Sequence, residues 1–203
     1  MSKIENNFYP DKLKLARNFH GWSLEEVGGM VEASRQYIQQ LESRAKVPSD
    51  GMVSALADAL GFEKEFFFTN DLALSSEEEC HFRSRQTKTV NLKYQALSQA
   101  TMLERLVEEL DQILDFPTTN IPAFNISNEF EIEEVAEEVR AVWGLGNSGP
   151  ILNMVRAAEN AGIIVGYFVG LSEKIDAFSR HGNRPLIIRN PLKESVCRMR
   201  FDI

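Results

Sequence analysis

Cysteine is scarce in this sequence, and so are long apolar runs. Two cysteines, Cys80 and Cys197, are too few for a disulfide framework and are typical of a reducing compartment. The longest apolar stretch, residues 162–171, has about half of the ~20 residues that a membrane-spanning helix needs. The first residues lack the apolar core of a signal peptide. We therefore expect a cytoplasmic protein that has no membrane partner.

Positive charge is also in deficit. The chain has 22 Lys and Arg against 30 Asp and Glu, which gives a net charge of −8 and an isoelectric point near 5.0. This balance excludes a uniformly basic protein that coats nucleic acid, so any contact with DNA must come from a local patch. A hydrophobic fraction of 43% excludes a wholly disordered chain, and 203 residues allow one large domain or two small ones.

The pattern of the sequence changes twice along the chain. Residues 1–70 have the pattern of short helices separated by turn signals. Residues 71–122 begin with a polar stretch and continue with a 3-4 apolar repeat, which predicts a connector with one long helix. Residues 123–203 predict a small α+β region, with strands at 163–169, 177–179 and 186–189 and a last helix from Asn190 onward. The expected fold is therefore mainly α with a small α+β part.

The strongest local signal lies between residues 23 and 43. Ser23 and Glu26 have the spacing of a capping box, and Ser34 can cap a second helix. Gly28 falls where the two helices would be closest, so its missing side chain predicts close packing. Apolar residues occur where the helices would pack across a tight turn: Val27, Val31, Ile38 and Leu41.

This pattern, followed by Leu41-Glu42-Ser43-Arg44, Pro48-Ser49 and Leu56-Ala57-Leu60-Gly61, resembles the XRE-type, or lambda-repressor-like, helix-turn-helix family over about residues 11–68. The resemblance implies a five-helix DNA-binding domain, whose third helix reads the major groove of a double-stranded DNA operator. Two positions depart from the family. Leu24 replaces the usual Gln that touches phosphate, and Glu32 replaces the usual Gly of the turn. Because a left-handed backbone is costly for Glu, we expect a turn of different shape.

The resemblance also implies roles for single residues. Base readers would be Arg35, Gln36, Gln39 and Gln40, because Gln can bond adenine and Arg can bond guanine. Phosphate contacts would come from Ser23, Ser34, Tyr37, Arg44 and Lys46. An ion pair of Arg17 with Glu42 would join the first helix to the third. The alternative is that the polar residues form an ordinary solvated helix face.

Charge favours binding by two copies of the chain. Residues 1–70 contain 8 Lys and Arg and 10 Asp and Glu, a net charge of −2, so a monomer should bind DNA weakly. Proteins of this type usually read paired half-sites as dimers. We expect the homodimer interface on an apolar stripe of the long helix: Leu92, Leu103, Leu106, Leu110 and Ile113. The alternative for the stripe is that it packs on residues 123–203. The basic residues Arg83 and Arg85 could add DNA affinity, or they could belong to a solvated linker.

The second half of the chain contains a further series of motifs: His81-Phe82-Arg83-Ser84, Trp143-Gly144-Leu145-Gly146, Glu159-Asn160-Ala161-Gly162-Ile163, Ile175-Asp176-Ala177-Phe178-Ser179 and Arg198-Met199-Arg200-Phe201-Asp202. In this order they resemble the N-terminal part of the ImmA/IrrE family of zinc metallopeptidases. That family binds zinc through a His-Glu-x-x-His motif that follows the last segment, and the 203 residues do not contain one. We therefore expect no catalytic residue, metal or cofactor here, with zinc only if the natural chain extends past Ile203.

These patterns together predict a sequence-specific DNA-binding transcriptional regulator. The setting implied by the resemblance is repression of a mobile-element or stress operon. One alternative is the N-terminal fragment of a zinc metallopeptidase that cleaves a regulator protein. Another is an interaction module whose acidic second region senses a partner or ligand.

Overall fold

The computed structural model describes residues 7–69, 80–83, 90–124, 128, 130–146, 148–168 and 175–192. These residues fall into two compact units. The first contains the described residues up to 69 together with the start of a long helix, through Leu103. The second contains residues 80–83 and the described residues from Glu104 onward. The described chain is mainly helical and has one small sheet, as the sequence predicts.

Helices α1 (Pro10–His20), α2 (Leu24–Met30), α3 (Arg35–Glu42) and α4 (Asp50–Leu60) make up most of the first unit. Serine hydroxyls cap the last three of these, each accepting a hydrogen bond from a backbone N–H three residues further on. The caps are Ser23, Ser34 and Ser49. A further helical segment, Lys64–Phe68, is a 3-10 helix, so the first unit has four α-helices and one 3-10 helix up to residue 69.

One apolar core holds the first unit together. All five helical segments up to residue 69 contribute to it through side chains that are nearly inaccessible to solvent: Leu13, Ala16, Val27, Ile38, Leu41, Val53, Leu56, Ala57, Leu60 and Phe67. Burial of each large aliphatic side chain contributes roughly 1.5–3 kcal/mol. Three of the four apolar residues predicted to pack α2 against α3 belong to this core: Val27, Ile38 and Leu41. The fourth, Val31, is partly buried and packs against it.

The predicted long helix exists as α5 (Val90–Asp111). Its first part is not a free connector, because Gln95, Ser98 and Gln99 are buried. The Gln99 amide donates to the Phe19 carbonyl oxygen at 3.1 Å, at the end of α1. Residues 90–103 therefore belong to the first unit, whereas the sequence predicted them as part of a separate connector.

The second unit contains α6 (Phe130–Val142), α7 (Met154–Asn160) and a sheet of four strands. The strands are β1 (Cys80–Arg83), β2 (Ile164–Tyr167), β3 (Ala177–Arg180) and β4 (Leu186–Arg189), in the order β1-β3-β4-β2. Strand β3 pairs antiparallel with both β1 and β4, and β2 pairs parallel with β4. The three predicted strands are confirmed.

Strand β1 and helix α6 differ from what the sequence pattern indicates. Strand β1 was predicted to be polar connector, and it forms a strand because its backbone pairs with β3, almost 100 residues later in the chain. Helix α6 has apolar residues at helical spacing, but part of this face is open to solvent, with Ile132 53% and Val142 47% exposed. Arg85 and the predicted last helix beyond Leu192 lie outside the described residues.

Candidate nucleic-acid interface

Helices α2 and α3 meet across a tight turn at residues 31–34. Gly28 lies at the closest approach, and the Ala33 N–H donates to its carbonyl oxygen at 2.8 Å. A Cβ atom at Gly28 would lie 2.6 Å from the Ala33 oxygen, which is closer than real Cβ contacts occur. The close packing predicted from the sequence is therefore present, and it fixes the position of α3 relative to α2.

The turn itself has an uncommon backbone. Glu32 has φ 53°, in the left-handed region that favours glycine. The expectation that Glu would give this turn a different shape is wrong, because the residue adopts the left-handed conformation instead. For a non-glycine residue that conformation costs roughly 1–2 kcal/mol.

Helix α3 is sharply divided into a buried and an exposed side. Ile38 and Leu41 are completely buried. The predicted base readers Arg35, Gln36 and Gln39 are exposed, and Gln40 is half-buried. A helix presents its polar side outward in this way when the opposite side supplies core residues. The structure thus places the four predicted base readers together on one short helix.

Four of the predicted phosphate contacts lie around α3. The Ser34 hydroxyl accepts the Tyr37 N–H at 3.1 Å and begins the helix. The Lys46 ammonium lies 5.3 Å from the centre of the Tyr37 ring, within the range of a cation–π interaction. Arg44 and Lys46 are both exposed in the segment that follows α3.

Ser23 has a different environment. Its backbone N–H and its hydroxyl both donate to one Glu26 carboxylate oxygen, each at 2.7 Å, and the Glu26 N–H donates back to the hydroxyl at 3.2 Å. The hydrogen bond from the Ser23 backbone N–H lowers the pKa of Glu26 most, and the bond from the Ser23 hydroxyl lowers it further. A phosphate at this helix start would therefore meet a carboxylate that already uses both Ser23 donors.

The predicted ion pair of Arg17 with Glu42 is present. Arg17 Nε lies 2.6 Å from Glu42 Oε1, and Arg17 Nη2 lies 2.9 Å from Glu42 Oε2. Arg17 Nη1 donates to the Trp22 carbonyl oxygen at 2.8 Å. One guanidinium thus joins α1, the last residue of α3 and the loop before α2.

A second ion pair was not predicted. Arg44 Nη2 lies 3.3 Å from Asp11 Oδ2, and these side chains are 68% and 56% exposed. Arg44 has φ 61°, also in the left-handed region. Because 33 residues separate Asp11 from Arg44, no local sequence pattern indicates their contact.

The predicted dimer stripe is only partly exposed, and its last residue, Ile113, lies beyond the end of α5 at Asp111. Leu106 is 54% and Ile113 77% accessible, whereas Leu92, Leu103 and Leu110 are half-buried. The boundary between the two units falls after Leu103. The exposed part of the stripe therefore belongs to the second unit.

The histidines occupy separate environments. His20 Nε2 lies 2.8 Å from the Leu60 carbonyl oxygen, and its ring stacks on Trp22 with ring centres 4.2 Å apart. His81 lies in β1 and His181 directly follows β3. Over the described ranges, no group of three or more His, Cys, Asp and Glu residues is placed to hold a metal ion. Among the helices described, none is both long enough and apolar enough to span a bilayer.

Two capped helices across a tight turn, with the second helix polar on its outer side, define a helix-turn-helix. Residues 11–65 match the family model of a helix-turn-helix domain. Neither a search of curated proteins nor a search of solved structures gives a match to the chain. The matched residues cover α1 to α4, which identifies this part of the first unit as the candidate nucleic-acid interface.

Proposed function

We propose that the chain is a sequence-specific DNA-binding transcriptional regulator of the XRE type, which acts as a repressor. The observation that carries the proposal is α3 itself. Arg35, Gln36 and Gln39 are exposed side by side on a helix whose opposite side is locked into the core by Ile38 and Leu41. A helix held in this way can enter the major groove without losing its own packing, and its Arg and Gln side chains suit guanine and adenine.

The phosphate contacts would flank that helix. Arg44 and Lys46 follow it, and Ser34 and Tyr37 lie in its first turn. The cation–π contact holds the Lys46 ammonium close to Tyr37, so both side chains would approach the same stretch of DNA backbone. Such contacts set the orientation of the protein, while base contacts set the sequence.

Binding to DNA tests the proposal directly. Duplexes enriched by the protein from a random library should bind Arg35→Ala and Gln39→Ala about 1–3 kcal/mol more weakly than the parent, with little change on random duplexes. Arg156→Ala and Gln112→Ala are matched controls, because these exposed residues lie in the second unit. Fluorescence anisotropy measures both affinities. If all four variants behave alike, or if no duplex is enriched, the proposal fails.

The regulator would act as a homodimer. Two α3 helices separated by one turn of DNA, about 34–36 Å, would read a symmetric operator. The exposed apolar side chains Leu106 and Ile113 of the stripe support an interface on this surface, because apolar side chains exposed together favour association.

For the second unit, the ImmA/IrrE likeness remains a proposal at the level of sequence motifs. We propose no reaction for this unit. Its role in the regulator would be to sense a partner or ligand and transmit that state to the DNA-binding unit.

A further inference from the structure

The geometry points to Asp11 as an internal competitor of DNA, which holds Arg44 in the free protein and must release it to a phosphate. This inference rests on the proposed function. Arg44 is the predicted phosphate contact that the structure places in an ion pair, with its Nη2 atom 3.3 Å from Asp11 Oδ2. A carboxylate offers a guanidinium the same type of charged oxygen that a phosphate offers.

The pair is placed so that it can exchange partners. Both side chains are more than half exposed, so water and DNA can reach the guanidinium without any rearrangement of the core. The backbone of Arg44 is held independently, because its N–H donates to the Leu41 carbonyl oxygen at 3.3 Å. Loss of Asp11 would therefore leave Arg44 attached to the end of α3.

Asp11 opposes DNA in two ways. First, Arg44 must break its ion pair with Asp11 before it can bind a phosphate, which weakens every DNA complex by the free energy of that pair. The carboxylate then remains close to the bound phosphate, and the two negative charges repel. Both effects are independent of base sequence, so Asp11 would set the overall affinity for DNA rather than its specificity. The contrast is the ion pair of Arg17 with Glu42, whose side chains are only 12% and 10% exposed, so that DNA cannot reach the guanidinium in this way.

Asp11→Asn tests the inference. An exposed ion pair contributes at most about fivefold to an equilibrium constant, so the variant should bind both enriched and random duplexes about two- to fivefold more tightly. Asp58→Asn makes the same charge change at an exposed position of α4 and serves as the matched control. Asp11→Ala is a second variant, in case Asn at the start of α1 lowers stability. Thermal melting establishes that each variant is folded at the temperature of the binding assay.

Arg44→Ala completes the design as a double-mutant cycle. Alone, it should weaken both kinds of duplex and reduce the slope of log affinity against log salt by about 1. In the Arg44→Ala background, the gain from Asp11→Asn should become smaller, because the ion pair is absent and only the repulsion of phosphate remains. A gain that is undiminished without Arg44, a gain equal to that of Asp58→Asn in the parent, or a loss of affinity overturns the role of Asp11.

The two levels of the proposal fail differently. If no duplex is enriched by the parent protein, the DNA-binding function itself is refuted. If the parent binds and Arg44→Ala weakens binding, but Asp11→Asn matches its control, only the competition by Asp11 is refuted.

Discussion

Replacement of Glu42 by Gln should destabilise the first unit strongly, although it changes only a few atoms. Glu42 and Arg17 are 10% and 12% exposed and share two short hydrogen bonds. In Glu42→Gln the guanidinium stays largely buried with its charge uncompensated. One of the two Arg17 N–H groups that now donate to Glu42 would face the amide NH2 group, which cannot accept a hydrogen bond. Breaking a buried ion pair costs about 3–5 kcal/mol. Because the Gln oxygen retains one hydrogen bond, we expect about 3 kcal/mol.

Tryptophan fluorescence can isolate this effect. The chain has two tryptophans, Trp22 in the first unit and Trp143 in the second. In a Trp143→Phe background, Trp22 reports the unfolding of the first unit, and its carbonyl is itself bonded to Arg17. With a urea m-value of about 2 kcal/mol/M, a loss of 3 kcal/mol lowers the unfolding midpoint by about 1.5 M.

Asp11→Asn provides the matched control for stability as well. It also removes one negative charge from a carboxylate paired with arginine, but that pair is exposed and contributes at most about 1 kcal/mol. Its midpoint should fall by less than about 0.5 M. Equal midpoints for Glu42→Gln and Asp11→Asn, at unchanged m-value, would refute the claim that burial makes the Arg17 pair structurally important.

Three further variants test the turn and the assembly. Gly28→Ala should lower the free energy of unfolding in urea by about 1–3 kcal/mol, because the added Cβ would clash with the Ala33 backbone oxygen. Gly29→Ala should raise it by up to about 1 kcal/mol, because a Cβ there meets open space. Glu32→Gly should stabilise by about 0.5–1 kcal/mol by relieving the left-handed conformation, and Glu32→Ala, which keeps the strain, should not. Leu106→Asp combined with Ile113→Asp should give a folded monomer in sedimentation; loss of folding or an unchanged dimer would contradict the stripe as the interface.

The helix-turn-helix could be predicted because its signals are local. Ser23, Ser34 and Gly28 lie within a few residues of the backbone groups that they bond or contact. Capping and close packing act over one or two helical turns, so a spacing in the sequence maps directly onto a distance in the structure. The ion pair of Arg17 with Glu42 is not local, and it was predicted only through the resemblance to a family.

The features that were missed depend on distant partners. Residues 80–83 form a strand only because β3 lies beside them, and their own composition is that of a polar linker. Gln95 and Gln99 are buried although their polarity indicates exposure, and the Gln99 amide donates to the Phe19 carbonyl oxygen at the end of α1. Conversely, α6 has the apolar periodicity of a core helix, but Ile132 remains exposed. Periodicity identifies the helix and does not determine what covers it.

The distribution of charge in the first unit supports the proposal that the regulator binds DNA as two copies. Arg17, Arg44 and Lys64 are each paired with a carboxylate in the free protein. Of the side chains proposed to touch phosphate, Arg44 and Lys46 are the cationic ones, because Arg35 is assigned to bases. Two phosphate contacts give a slope of log affinity against log salt of only about −2 per protomer. This number of contacts is small beside the roughly 6–10 phosphate contacts of strongly electrostatic binders. A dimer doubles that slope to about −4, so affinity at physiological salt depends on pairing and on how readily Asp11 releases Arg44.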